Sequence, residues 1–218
     1  MSTFRSLAFL GLVSVSAAAL AGDLSVAGMT PGKNHVINIA YFSSSIAVYA
    51  GPQSASYDGD AFEGYCVDLD HAQYPPVTFD VTPTAADGFT TYGARVAQLV
   101  NQYGLGVSTA DQGAALQLAI WDVLVDGGDG LAVGNFKASG LNTGTTAFFS
   151  SYLGDPLTGA SSLATIYNPT SHGAGGNVYQ ALIGPGGDHI ANAVPEPASM
   201  IALGLGGMAL IRRRRKQA

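Results

Sequence analysis

Apolar residues alternate with polar ones through the first half of the chain and recur every three or four residues in its middle, so strands are expected before helices. Val36 to Phe42 and Ser45 to Ala50 are rich in β-branched and aromatic residues and stop at Gly51, which predicts two strands. "YCVDL" alternates Tyr65, Val67 and Leu69 with Cys66, Asp68 and Asp70 and reads as a half-buried strand, with Val77 to Val81 a fourth behind Pro75 and Pro76. The period then lengthens. Tyr92, Val96, Leu99, Val100 and Tyr103 share one helical face, with Thr90 or Thr91 as cap and Gly104 as stop. A second helix starts at Thr109, which forms a capping-box spacing with Gln112, and runs to Val125 before Asp126-Gly127-Gly128. The short "GLGVS" between them makes the two antiparallel neighbours. Ala147 to Leu153 adds a third helix, and Leu163 to Tyr167 and Val178 to Ile183 two later strands. The expected class is α+β, a β-rich body with an inserted antiparallel helical hairpin. Gly51 to Asp60, Asp126 to Asn135 and Gly184 to Pro197 read as linkers.

Both ends follow other patterns. Arg5, an apolar run from Leu7 to Leu20 and Ala19-Leu20-Ala21 have the form of a secretory signal peptide over residues 1–21. At the far end Pro195-Glu196-Pro197 precedes an uncharged stretch from Ala198 to Ile211, followed by Arg212, Arg213, Arg214, Arg215 and Lys216. As a helix that stretch measures about 21 Å, shorter than the roughly 30 Å hydrocarbon core. The cations behind it hold that end in the cytoplasm, and local thinning of the bilayer absorbs the mismatch. In order and position these parts resemble the PEP-CTERM sorting signal of proteins exported by Gram-negative bacteria that make extracellular polysaccharide. The resemblance implies recognition by an exosortase, with the membrane as a partner until the tail is cut. Residues 22–183 then form the body, 184–193 a tether and 194–218 the sorting signal.

Charge narrows the body's partners. The chain carries a net charge of −6 and only 11% charged residues, and the cations between the two ends are Lys33, Arg95 and Lys137. Such a surface repels phosphate backbones, which excludes nucleic acid. Its neutral, polar remainder suits an extracellular matrix or surface protein.

The chemistry centres on two residues. Cys66 is the sole cysteine, a solitary thiol in an exported chain. Gln117 lies in "AALQLAIWDVL", a segment apolar nearly all round and therefore buried. A buried carboxamide needs partners, since each unpaired group costs about 1–3 kcal/mol. Two answers are open: hydrogen bonds to a strand edge or loop, or attack by the Cys66 thiolate on the carboxamide, expelling ammonia and leaving a thioester. Tyr65-Cys66-Val67 followed by Gln117-Leu118-Ala119-Ile120-Trp121 resembles the Cys-Gln thioester domain of bacterial surface adhesins, although Leu116 replaces the threonine often found before that glutamine. This resemblance implies an internal thioester that couples once to amine-bearing targets, without turnover and so without enzymatic activity. Trp121, one turn beyond Gln117, is expected to exclude water, and His71 to assist the incoming amine. The competing reading is a non-reactive component of the polysaccharide matrix with a buried free cysteine.

Other chemistry is weaker. Alternation places Asp68 and Asp70 on the Cys66 face and His71 on the other, and with so few Cys or His ligands no metal is expected there. Asp126-Gly127-Gly128-Asp129-Gly130 lacks the spacing of a calcium loop and reads as a turn. No nucleophile motif surrounds Cys66, His35, His172 and His189 fall in loops or strand edges, and no cofactor is implied.

Overall fold

The computed structural model describes residues 21–158, 164–170 and 179–185. Apart from Ala21, both end signals lie outside them, as does most of the tether.

Nine strands and three α-helices are present among the described residues. β1 (Gly22–Met29), β4 (Gln53–Tyr57), β5 (Asp60–Cys66), β9 (Leu182–Gly184), β8 (Thr165–Pro169) and β6 (Val77–Ala85) close in that order into an antiparallel barrel. β3 (Ser44–Ala50), β2 (His35–Tyr41) and β7 (Phe136–Ser139) form a second sheet. The architecture is β-rich with helices added, as the periodicity implies. Closure of the barrel removes the exposed edges that six short strands would otherwise present. Leu24 and Val26 of β1 alternate inward, with Leu24 facing both Tyr57 and Phe79 across its neighbours. Tyr167 lies against Phe62 and Tyr57 at ring distances of 4.8 and 5.3 Å.

Several boundaries differ from the periodic reading. The segment taken for a linker at Gly51 to Asp60 contains β4, whose small Ser and Ala side chains give little strand signal yet pair on both edges. β1 and β7 are additional. β5 runs earlier than "YCVDL" and stops at Cys66, because the chain turns at Asp68: its Oδ1 accepts from the backbone N–H groups of Asp70 and His71. Tyr65, Cys66 and Val67 are all buried, so the strand is covered on both faces at its end. Gly184 closes β9 instead of opening the tether.

α1 (Gly93–Tyr103) has Tyr92 at its N-cap without a side-chain bond, while Thr90 Oγ1 accepts from the Tyr92 N–H just outside. α2 (Ala110–Asp126) has the expected capping box between Thr109 and Gln112 and ends at Gly127, which has φ of 74°. That left-handed geometry is what a glycine after a helix supplies at low cost. α3 (Thr143–Gly154) extends beyond its expected core and is capped by Asn142. α2 packs against both α1 and α3 and touches β2, β3 and β7.

One face of α2 determines how it seats. Gly113, Gln117 and Trp121 recur every four residues and so form one stripe. At Gly113 the helix backbone passes so close to the Lys33 carbonyl and Pro52 that no Cβ would fit. Next to this stripe, Asp111 accepts from Asn142 Nδ2 at 2.8 Å and Thr145 Oγ1 at 3.2 Å and pairs with His35 Nε2 at 2.7 Å, tying α2 to α3 and β2.

Candidate functional site

Cys66 and Gln117, 51 residues apart in sequence, meet in the interior. The Cys66 N–H donates to Gln117 Oε1 at 3.0 Å, and Gln117 Nε2 donates to the Cys66 carbonyl at 2.8 Å. This pairing follows from strand geometry. Val67 N–H donates to the Ala181 carbonyl beside β9, so Cys66, its alternate neighbour, turns its own N–H and C=O toward the opposite edge. On that edge β4 begins only at Gln53, opposite Gly64, and leaves Cys66 without a strand partner. The Gln117 carboxamide supplies the missing rung. Gln117 is 1% exposed and Cys66 4%, so neither group has water as a substitute partner.

The sulfur faces the turn that follows. Cys66 Sγ–H donates to the Asp68 carbonyl at 3.0 Å, and the Asp68 N–H points back at Sγ from 3.4 Å. Burial pushes the Cys66 thiol up to about 12; the Asp68 backbone N–H lowers it, the Asp68 charge raises it, and the Trp121 indole lowers it slightly. Trp121 is buried, lies 5.9 Å from the Phe136 ring, and its Nε1–H has no hydrogen-bond partner among the described residues. That donor is dry and unengaged.

Strand alternation would separate His71 from Cys66. The turn at Asp68 instead links them: His71 Nδ1 is 2.7 Å from Asp68 Oδ2, and Asp68 holds the sulfur through its backbone. Asp68 and Asp70 therefore belong to this turn and not to a strand face shared with Cys66. Gln180 Nε2 donates to the Asp68 and His71 carbonyls and braces the same turn from 112 and 109 residues away. Nothing local to the turn signals that contact, although Gln180 lies in "NVYQALIG" (Asn177 to Gly184), a weaker part of the resemblance to the thioester domain. Immediately beyond Cys66 opens a cleft of about 400 Å³ that includes Val67, Asp68, Asp70, His71, Tyr41 and Tyr179. The Tyr41 hydroxyl is pushed up by burial and by the nearby Asp70 carboxylate. The cleft is acidic, and it reaches the peptide next to the sulfur.

Of the two lysines in the body, Lys33 is held by Glu63 at 2.8 Å, while Lys137 projects from β7. Pro195, Glu196, Pro197 and the cations Arg212 to Lys216 fall outside the described residues. Among the described residues no helix is long and apolar enough to cross a membrane.

Comparison with known families identifies that terminal segment: a family described as the PEP-CTERM protein-sorting motif matches residues 193–216. The chain carries the signal of an exported protein, held briefly in the membrane and then processed by an exosortase. The match is confined to the tail. No curated protein and no solved structure matches the chain.

Proposed function

We propose that this exosortase-sorted protein acts at the cell surface or in the extracellular matrix, and that Cys66 and Gln117 form an internal thioester for single-use attachment to amine-bearing targets. The observation that carries this reading is the docking of a buried glutamine carboxamide on the one cysteine of the chain. In the coupling step the Sγ–Cδ bond forms and the Cδ–Nε2 bond breaks. The thiol proton leaves with the nitrogen as ammonia, so no oxidant or cofactor is consumed.

Three features favour the step. The Cys66 N–H already donates to Gln117 Oε1, the atom that gathers negative charge as sulfur adds to the carbon. Both residues are fixed by packed elements, which removes most of the entropy of bringing them together. Burial of the pair protects the product from hydrolysis. A high thiol pKa opposes the attack, so deprotonation must accompany it, and a hydrogen bond from the Trp121 N–H would stabilise the charge developing on sulfur. His71 stands in the adjoining cleft, where an approaching ammonium group would be drawn by Asp68 and Asp70 and would need to lose a proton.

Intact mass tests the reading. The wild-type chain is expected to be lighter than its sequence by one ammonia, with the deficit absent in Cys66→Ala and Gln117→Ala. Methylamine should then add to the protein and release a titratable thiol. A wild-type chain of full mass, with its thiol titrating once unfolded, would leave the matrix protein with a buried, unreactive cysteine.

A further inference from the structure

At its C-terminal end α2 gathers three carboxylates. One oxygen from each of Asp122, Asp126 and Asp129 lies within 4.8 Å of the others. The last turn of a helix exposes carbonyl oxygens and the negative end of its dipole, so acidic side chains there are unfavourable without a compensating charge. Arg95 is a nearby cation, and it donates to the Gly127 carbonyl.

Asp122 makes the arrangement more demanding than an exposed acidic cluster. It is fully buried, its Oδ2 accepts from the Gly130 N–H at 3.1 Å, and its Oδ1 is buried with no partner among the described residues. A buried carboxylate oxygen without a donor carries a desolvation cost that a bound cation would offset. Burial pushes the Asp122 carboxyl up to about 6; the Gly130 N–H lowers it, Asp129 and Asp126 raise it, and Arg95 lowers it. The following loop folds around the same point. Asp126 Oδ2 accepts from the N–H groups of Asn135 and Phe136, which leads the chain into β7. A Cβ added at Gly134 would strike the Asp126 and Asp129 carboxylates, so that glycine leaves room where they converge.

We propose that Asp122, Asp126 and Asp129 form a calcium site that locks the end of α2 to the loop entering β7. An all-oxygen donor set suits a hard divalent cation. Oxygens on the shell of one calcium ion can stand up to about 5 Å apart, twice the bond length of 2.3–2.6 Å, against about 4 Å for magnesium. The three oxygens, all within 4.8 Å of one another, fit inside the calcium shell, whereas magnesium demands near-ideal octahedral geometry, gives up its waters reluctantly and so suits three protein carboxylates less. The ion would brace the Phe136 backbone, whose ring packs on Trp121, and so would stiffen one wall of the Cys66 pocket.

Thermal melting of the full chain in detergent, stripped with a chelator and then titrated with calcium or magnesium, tests this. Calcium should raise the melting temperature with a dissociation constant of roughly 10⁻³ M or tighter, the range of extracellular modules, and magnesium should bind at least about tenfold more weakly. Asp129→Asn alters an exposed residue and should weaken calcium binding by about tenfold or more, as loss of a ligand charge requires. Asp122→Asn should melt higher than wild type without calcium, because it removes a buried repulsive charge, and should lose the calcium response. Three results would each overturn the assignment: no calcium-dependent rise in the wild type, an equal rise with magnesium, or a rise unchanged in both variants.

Discussion

Replacing Gln117 by methionine in a chain that already carries Cys66→Ala isolates the structural part of the glutamine's role. The first substitution removes the sulfur and with it any thioester, but leaves the Cys66 position's N–H and C=O, which are the groups that Gln117 pairs. Methionine then fills nearly the same volume as glutamine while offering neither donor nor acceptor of comparable strength. Two backbone groups at a position 4% exposed would be left unpaired. At about 1–3 kcal/mol each, the expected loss is about 2–6 kcal/mol. Against a total stability of about 5–15 kcal/mol, that is a large fraction. Urea unfolding of the single and double variants, with equal slopes, gives the difference directly. A loss below about 1 kcal/mol would mean that the carboxamide does not complete the β5 ladder, and the account of how Gln117 is brought to Cys66 would fail with it.

Two further expectations follow from the seating of α2. The Asn142 and His35 hydrogen bonds hold the Asp111 carboxyl below its ordinary range, so its stabilising contribution is complete above that range and is lost as pH falls through the lowered folded value; melting temperature measured down an acid series should fall less steeply in Asp111→Ala, and an unchanged acid slope would contradict the pairing. Gly113→Ala should destabilise by about 1–3 kcal/mol or more, although helix propensity alone predicts a gain of about 1 kcal/mol; urea unfolding distinguishes the two signs, and a stabilised variant would show that the contact with Lys33 and Pro52 is looser than described.

The elements that could be read along the chain are those whose stabilising contacts lie within a few residues. Thr109 and Gln112 cap α2 across one turn, Gly127 ends it, and the apolar stripe of α1 repeats every three or four positions. The sorting signal is contiguous as well, with Pro195-Glu196-Pro197, an apolar stretch and a basic cluster in order. Composition likewise settles the acidic, lysine-poor character of the body.

What pairs with what was decided by the tertiary structure. β4, built of Ser and Ala between Gln53 and Tyr57, is a strand because β1 and β5 supply its hydrogen bonds from both sides. His71 reaches Asp68 because the strand stops at Cys66, a stop that alternation does not encode. Gln117 was legible as a buried amide needing partners, but its partner is fixed by β4 starting two residues too late to serve Cys66. Asp122 reads in sequence as one of two polar residues in the apolar segment Ala114–Leu124; that one of its oxygens meets the Gly130 N–H of the loop leading to β7, while the other stays buried and unpaired among the described residues, is visible only in the tertiary structure. Local periodicity reports which face of an element is apolar, whereas the closing of a barrel and the close approach of a helix at Gly113 depend on surfaces tens of residues apart, which no short window of sequence contains.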